Sequence, residues 1–245
     1  FIELRARFSR DATLFHDDPA LGGEPTGKSS TALMGDIVHL PEGEVELDFD
    51  ILAAAPIERV ELFNGKALVQ TIRPYREADL GPRIRVIWEG ATYRGRAREV
   101  IWDGTATFAG ATIGDARPIN FLNPDKTLDR VGTNGLAWQA LTTGNLGGFE
   151  VLLDGGEDGR LQLTTPLVAF ELPLAEIGLE DRVFAGDGPL PRHITVNRLP
   201  AENPHRRLVQ SRRITLRPDG DNPLYLRSTL EDGTRAWTSP IYVFR

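Results

Sequence analysis

The chain has 245 residues, of which 40% are hydrophobic and 26% are charged, and its formal net charge at pH 7 is −7. This length suits one large or two ordinary domains, and the acidic balance argues against a nucleic-acid partner. The absence of cysteine excludes disulfides and thiolate chemistry, and no apolar run reaches the roughly 18 residues that a membrane span requires. The chain opens with Phe1 in a strand-like run without a signal peptide. We therefore expect a fragment of a longer protein, whose location stays unknown and is compatible with the periplasm or the extracellular space.

Residues 9–35 are rich in turn-forming residues and are predicted to be a loop. Within them, residues 22–29 match the phosphate-binding pattern G-x-x-x-x-G-K-[ST]. That pattern binds phosphate only between a buried strand and a helix, because the helix N-terminus and aligned backbone N–H groups hold the anion. Residues 17–21 do not resemble a buried strand, and Gly35 leaves little room for a helix. We predict an exposed polar loop with Lys28 in solvent.

The next segment is the most regular strand pattern of the chain. Apolar and acidic residues alternate without error in the run Val45, Glu46, Leu47, Asp48, Phe49, Asp50 and Ile51. This alternation predicts a strand with one face in a core. The acids could suggest a cation site, but their two-residue spacing places them in a row, so we favour a solvated face. Residues 57–63 and 66–72 then flank Asn64-Gly65, which predicts a hairpin.

Residues 74–82 are interpreted as a linker, after which the character of the sequence changes. Residues 84–90 and 99–104 share the core Val-Ile-Trp-acid-Gly, which predicts consecutive strands of one sheet. Arg94, Arg96 and Arg98 alternate and would share a strand face. We expect them to pair with acids on a neighbouring strand; the alternative is an anionic glycan or phosphate.

The remaining pattern consists of short strands and turns. Residues 120–135 are a predicted loop, and residues 154–159 are a predicted plain turn rather than a calcium loop, because the ligand spacing is missing. A single helical turn is predicted at residues 174–179. Strands are predicted at 136–141, 149–153, 160–164, 167–172, 193–199 and 207–216. Many short strands without a long amphipathic helix predict an all-β fold built from sandwiches.

The chain ends in a predicted hairpin around Asp232-Gly233. A two-residue turn there would place Ser228 opposite Trp237 and Leu224 opposite Ile241. One face would then be apolar and would collect Leu224, Leu226, Trp237, Ile241 and Val243. Such a hairpin is not stable alone, so we expect it to complete a sheet begun near the N-terminus.

These patterns together predict two β-sandwich units, one inserted into the other. Residues 1–75 and 217–245 form a discontinuous immunoglobulin-like sandwich. Residues 80–215 form an inserted β-sandwich-like domain. The change of character near Pro74 and the isolated terminal hairpin motivate this division.

No catalytic, cofactor-binding or metal-ligating residue is predicted, and no cofactor is expected. The histidines at positions 16, 39, 193 and 205 form no His-x-His or His-Glu-x-x-His arrangement. No Gly-x-Ser-x-Gly motif marks a nucleophile. The tryptophans at positions 88, 102, 138 and 237 are interpreted as core residues, whereas exposed aromatic rings would indicate a sugar-binding surface.

Several short stretches resemble one protein family. They are Met34-Gly35-Asp36, residues 56–65, Tyr93-Arg94-Gly95-Arg96, Trp102-Asp103-Gly104, and Asp232-Gly233 followed by residues 236–241. These stretches resemble the region after the catalytic barrel in bacterial proteins of unknown function related to the PHP (polymerase and histidinol phosphatase) metal-dependent hydrolases. In that family the metal ligands are His and Asp residues of the N-terminal barrel. No His-rich barrel segment occurs in this chain, so no metal or catalytic residue carries over.

The resemblance implies a non-catalytic accessory C-terminal β-domain, so this chain is not expected to be an enzyme itself. Its expected partner is the N-terminal hydrolase domain of the same polypeptide. The alternative function is a carbohydrate-binding module with a glycan as partner. A third hypothesis is an enzyme that uses surface carboxylates, which requires two acids about 5–9 Å apart in a cleft.

Overall fold

The computed structural model describes residues 1–96 and 98–245. Regular structure in these residues consists of strands and three 3₁₀ helices, so the predicted all-β fold class is confirmed. The strands are β1 (Ile2–Phe15), β2 (Pro25–Leu33), β3 (Ile37–His39), β4 (Val45–Leu52), β5 (Ile57–Asn64), β6 (Ala67–Ile72), β7 (Leu80–Gly90), β8 (Val100–Ile101), β9 (Gly104–Ile119), β10 (Leu128–Val131), β11 (Gly135–Trp138), β12 (Leu141–Thr142), β13 (Leu146–Thr164), β14 (Ala169–Pro173), β15 (Arg182–Gly186), β16 (Arg192–Pro200), β17 (Arg207–Ile214), β18 (Asp221–Leu230), β19 (Arg235–Trp237) and β20 (Ile241–Phe244). The 3₁₀ helices are Pro19–Leu21, Glu77–Asp79 and Leu174–Glu176. No helix in the described part of the chain is long and apolar enough to cross a membrane.

The chain divides into two compact units, and the second interrupts the first in sequence. The first unit comprises Phe1–Pro74 and Pro204–Arg245, and the second comprises Tyr75–Asn203. This division corrects the predicted placement of residues 207–215 in the inserted domain. The strand β17 pairs along its length with β4, so Leu208 and Ile214 are buried in the core of the first unit.

The first unit is an immunoglobulin-like sandwich. Its strand order is β17-β4-β1-β3-β20-β18-β5-β6, with β2 paired to β1 and β19 paired to β18. The strand β1 joins two halves, because its first part pairs with β4 and its last part pairs with β3. In the nomenclature of the fold, β1, β4 and β17 correspond to strands A, B and E, and β5, β6, β18 and β20 to C, C′, F and G. The inserted unit therefore interrupts the chain between C′ and E.

The alternating pattern of β4 is confirmed. Val45, Leu47, Phe49 and Ile51 are buried in the core that both halves of the sheet share. The three acidic side chains point the other way, where Arg7 on β1 and Arg207 on β17 flank them. The row of acids is thus paired with arginines from both neighbouring strands, rather than only solvated.

The second unit contains one large antiparallel sheet, with strand order β10-β11-β9-β13-β7-β16-β15 and with β14 paired to β13. Its core contains Trp88, Trp102, Phe108 and Phe149, none of which is exposed to solvent. The repeated Val-Ile-Trp segments do not form consecutive strands of this sheet as predicted. The second segment contributes β8, which pairs only with β12 in a separate two-stranded sheet.

The acidic glycine-rich segment 154–159 is not a turn between two strands. It lies inside the continuous strand β13, and its pairing with β9 shifts register between Gly155 and Arg160. Gly155 and Gly156 have φ values of 77° and 96°. This left-handed region suits glycine, and a bulge that accommodates extra residues bends a strand without ending it.

The predicted loop at residues 9–35 is largely strand, because β1 extends to Phe15 and β2 pairs with it from Pro25. Lys28 is exposed, as predicted, but it lies on β2 opposite Thr13. Phosphate binding by this motif requires a strand followed by a loop and a helix. Residues 22–29 instead lie in the connection between β1 and β2 and in β2 itself. The motif match is accidental.

Both hairpins differ from the predicted turns by one position. In the first, Asn64 pairs with Ala67, so Gly65 and Lys66 form the two-residue turn, with Gly65 at φ 61°. In the terminal hairpin, Trp237 pairs with Arg227 rather than Ser228, and its side chain is 57% exposed. The expected pair Leu224–Ile241 is present. The register therefore changes between β19 and β20, and this change leaves Trp237 outside the core.

Candidate ligand-binding site

The candidate site lies at one end of the large sheet in the second unit. At this end β7 and β9 finish and β13 begins, since Glu89 pairs with Leu146 and Ile119 pairs with Gly148. The segments that follow β9 and precede β13 enclose a cavity of about 230 Å³. Its lining combines aromatic, amide and aliphatic side chains with one lysine. Binding sites for small molecules have this composition, in which apolar surface is supplemented by a few polar groups.

Trp88 contributes to the wall of this cavity from within the core. Its ring stacks on Trp138 with 5.3 Å between centroids and 7° between planes. The Trp138 Nε1 donates to the carbonyl of Trp102 at 2.5 Å, and the Trp102 Nε1 donates to the Thr142 hydroxyl at 2.8 Å. The Trp88 Nε1, in contrast, is buried and has no acceptor among the described residues. Buried donors in proteins are normally paired, so this indole N–H is an unusual unpaired donor in the core of the second unit.

Gly147 packs directly against the indole edge of Trp88. It lies opposite Trp88 in the β7–β13 ladder and also lines the cavity. A Cβ atom at this position would lie 2.8 Å from the Trp88 Nε1, closer than real Cβ contacts. Any other residue would therefore press on the indole, so this position of the cavity wall requires glycine.

Amide side chains form part of the cavity wall, and one of them has unusual backbone geometry. Asn120 has φ 57°, and it is the one non-glycine residue with positive φ in the described chain. Asparagine tolerates this left-handed conformation better than most residues. Its Nδ2 donates to the carbonyl of Leu146 at 3.2 Å, which joins the end of β9 to the start of β13. Asn123, Gln139 and Asn145 also line the cavity.

The remaining wall is apolar or cationic. Phe121 is half-buried and meets the ring of Trp88 edge-on, with 6.1 Å between centroids and 65° between planes. Leu122 and Leu141 are exposed at the rim. Lys126 supplies the charge, and the described residues that line the cavity include no acid. The site thus offers an aromatic surface, neutral hydrogen-bonding groups and a positive charge.

Two other cavities of the second unit are less suited to a ligand. One of about 300 Å³ is lined by Arg198, whose guanidinium donates to the carbonyls of Leu174, Ile177 and Gly81. Burial lowers the pKa of this guanidinium, although Glu77 partly opposes the effect. The other cavity, about 70 Å³, borders Arg83 and Glu150, which form a salt bridge at 2.7 Å. The polar groups of both cavities are committed to the protein itself.

Buried carboxylates in both units are paired with arginine. Glu150 accepts from Arg85 at 2.6 Å, and Glu61 accepts from Arg227 through two contacts of 2.7 and 2.8 Å. Glu58 likewise contacts Arg59 and Arg73. These pairs hold strands together.

The predicted arginine row at positions 94, 96 and 98 does not lie on a strand, so its predicted pairing across a sheet is wrong. The three side chains are exposed in the irregular segment that follows β7. They form no ion pair with the described residues. Residue 97, between two of them, lies outside the described residues.

The tryptophans divide between core and surface. Trp88, Trp102 and Trp138 are buried, as predicted, and Trp237 is not. Near Trp237, Phe63 and Tyr225 stack with 5.0 Å between centroids, and the Arg227 guanidinium lies 5.2 Å from the centre of the Phe63 ring. Tyr225 and Arg227 therefore occupy the surfaces of Phe63 that a sugar ring would need. In this region Trp237 therefore remains accessible, whereas Phe63 is covered by its neighbours.

The histidines are dispersed, and the described residues contain no group of three or more His, Asp or Glu side chains arranged to hold a metal ion. His39 stacks on Phe244 with 4.9 Å between ring centroids. His193 contacts Glu89 at 3.1 Å. Sequence reasoning named no site residue, and it did not find the cavity because its lining comes from four separate segments. The amides and Lys126 looked like ordinary loop residues, and only the aromatic content hinted at a ligand.

Comparison with protein-family models, with curated proteins and with solved structures finds no match for this chain.

Proposed function

We propose that this chain is a non-catalytic accessory β-module of a longer protein whose hydrolase domain is related to the PHP metal-dependent hydrolases. The short motifs described in the sequence analysis suggest the relationship. The pairing of Glu58, Glu61 and Glu150 with arginines supports the non-catalytic role, because these carboxylates are engaged in salt bridges within the protein.

The reading frame that contains this chain provides the test. We expect the protein segment that precedes Phe1 to form a barrel with His and Asp metal ligands. Metal-dependent hydrolysis of a phosphate ester should then require that segment, and the present 245 residues should have no such activity alone. A reading frame without a metal-binding barrel contradicts the proposal. Turnover by the isolated chain that is lost on substitution of a carboxylate also contradicts it.

Carbohydrate binding is the second candidate function, and the cavity of the second unit favours it. Aromatic rings and amide side chains together suit a sugar, because its C–H faces pack on rings and its hydroxyls need donors and acceptors. We expect the chain to bind glycans on an array with micromolar affinity. Phe121→Ala should abolish this binding because Phe121 lines the cavity. Trp237→Ala, an exposed ring in the other unit, is the matched control and should bind as the wild type does.

A further inference from the structure

We infer that the cavity of the second unit binds one uronic acid residue of an acidic saccharide, with the carboxylate at Lys126 and hydroxyl groups at the amides of Asn123 and Gln139. This inference rests on the second candidate function, and it specifies both the ligand class and the residues that select it. Charge, hydrogen bonding, size and the position of the arginine segment support it independently.

The charge of the cavity is the first argument. The chain has only three lysines, at positions 28, 66 and 126, among 28 basic residues, and one of the three lines this cavity. The Lys126 ammonium has no carboxylate within 4.0 Å among the described residues. The neighbouring Asp125 is exposed and does not line the cavity. A compact, unpaired ammonium in a chain of net charge −7 is a site for an anionic group.

The aromatic and amide lining is the second argument. Phe121 is half-buried and lines the cavity, as do the amides of Asn123 and Gln139. A pyranose suits this combination, because its C–H groups pack against aromatic side chains and its hydroxyls need donors and acceptors.

The size of the cavity limits how much of the saccharide enters it. Its volume of about 230 Å³ is below the 300–1,000 Å³ typical of pockets for drug-sized ligands. One sugar ring therefore enters, and the rest of a longer chain lies on the surface. The exposed Leu122 and Leu141 mark the rim across which it leaves.

The arginine segment lies beside this rim. It begins after Gly90, whose carbonyl accepts from the Gly144 N–H at 3.0 Å and from the Thr142 hydroxyl at 2.8 Å. Thr143, between these two residues, lines the cavity. Thr92 closes the segment through its N–H to the carbonyl of Arg98 at 3.1 Å. The segment that carries the exposed arginines is thus joined at its start to a loop that lines the cavity, and we expect these arginines to contact the carboxylates of the adjoining sugar residues.

Calorimetric titration with defined trisaccharides tests the inference. The probes are α-1,4-linked trigalacturonate and β-1,4-linked trimannuronate, together with galactose and mannose trisaccharides of the same linkages, which lack the carboxylates. We expect one acidic trisaccharide to bind at least tenfold more tightly than its neutral counterpart. We also expect its affinity to fall as salt is raised, because charge pairing near the surface is screened.

The variants separate the cavity from general charge. Lys126→Gln should weaken binding of the acidic trisaccharide about tenfold, the loss typical of one charged hydrogen bond. Lys66→Gln and Lys28→Gln remove the same charge from the other unit and should leave the affinity unchanged. The Arg94→Gln/Arg98→Gln double variant should weaken the trisaccharide but not the corresponding monosaccharide. All five positions are exposed or half-buried, so the variants should fold.

The outcomes also separate this inference from the candidate function. Equal binding of the acidic and neutral trisaccharides overturns the inference and leaves carbohydrate binding intact. An unchanged affinity in Lys126→Gln overturns it as well. Binding of no saccharide, on the array or in solution, overturns both. The proposed link to a hydrolase domain is independent of all three results, because the reading frame tests it.

Discussion

The side chain of Asn64 donates through Nδ2 to the Oδ1 of Asn222 at 2.7 Å, although 158 residues separate the two in sequence. Both side chains are buried. The same Oδ1 accepts from the backbone N–H of Arg217 at 2.7 Å, and the Oδ1 of Asn64 accepts from the Arg217 guanidinium at 3.2 Å. This network joins the end of β5 to the start of β18. It therefore holds together the two chain segments of the immunoglobulin-like unit on either side of the insertion.

We expect Asn222→Ala to destabilise the first unit by about 1–3 kcal/mol, because it leaves buried donors of Asn64 and Arg217 without an acceptor. Urea denaturation followed by circular dichroism measures the change. Ser30→Ala, at an exposed position on β2, serves as the control and should change stability by less than about 0.5 kcal/mol. Equal effects of the two substitutions would show that the amide network contributes nothing.

The buried salt bridges of the second unit should contribute differently from its exposed ones. Glu150→Gln removes the charge between Arg83 and Arg85, whose side chains are 14% and 1% exposed, and should cost about 3–5 kcal/mol. Glu171→Gln removes the acid from the pair with Arg160, where both side chains are almost half exposed. This second change should cost at most about 1 kcal/mol. Chemical denaturation of both variants checks the ranking, which a larger loss in Glu171→Gln would reverse.

The stability of the first unit should depend on pH through Asp48. Hydrogen bonding from Arg7 lowers the pKa of Asp48, burial partly opposes this effect, and the Ser211 hydroxyl lowers the pKa further. Folding therefore favours the carboxylate. The resulting stabilisation is present above the unfolded pKa of about 3.9 and is lost as pH falls through the lower folded pKa.

Asp48→Asn tests this pH dependence. We expect the variant to be less stable than the wild type by under about 1 kcal/mol at pH 7, because the side chain is 31% exposed and solvent screens the pair. The difference should shrink as pH approaches about 2, where the wild-type carboxyl is also neutral. Urea denaturation at a series of pH values measures it. In an Arg7→Gln background, the effect of Asp48→Asn on stability should depend much less on pH. If the stability difference between the wild type and Asp48→Asn does not change with pH, the Arg7 contact does not stabilise the carboxylate.

Trp237 and Trp102 should respond in opposite ways to truncation. Trp237 is 57% exposed, so Trp237→Ala should change stability by less than about 1 kcal/mol. Trp102 is fully buried and donates to Thr142, so Trp102→Ala should cost about 3–5 kcal/mol. Denaturation measures both changes. Acrylamide should quench the wild type more efficiently than Trp237→Ala, because the substitution removes the exposed tryptophan. A strong loss of stability in Trp237→Ala would instead support the core position that the sequence predicted for this residue.

Local patterns predicted much of the first unit. The alternation in β4 identified its buried residues correctly, because side chains on a strand alternate between faces with period two. The hairpin signals at Asn64-Gly65 and Asp232-Gly233 identified where the chain reverses. They were wrong by one position in register, because the exact pairing of Asn64 with Ala67 and of Arg227 with Trp237 depends on contacts between whole strands that no turn motif encodes.

The candidate site could not be predicted in the same way. Its lining comes from β7, from the segments after β9 and β11, and from the start of β13, which are brought together only when the sheet forms. The unpaired indole N–H of Trp88 is likewise a property of its surroundings. Trp102 has the same sequence context, Val-Ile-Trp-acid-Gly, yet its indole is paired with Thr142.

The sequence by itself determined the fold class, the buried face of β4 and the absence of thiol chemistry, because composition and local periodicity carry that information. The tertiary structure decided which distant segments pair. It assigned β17 to the first unit through β4, joined Asn64 to Asn222, and enclosed a cavity between separate loops. The physical reason is that strand pairing and side-chain contacts are non-local. Each depends on the free energy of burying both partners together, which neither segment specifies alone.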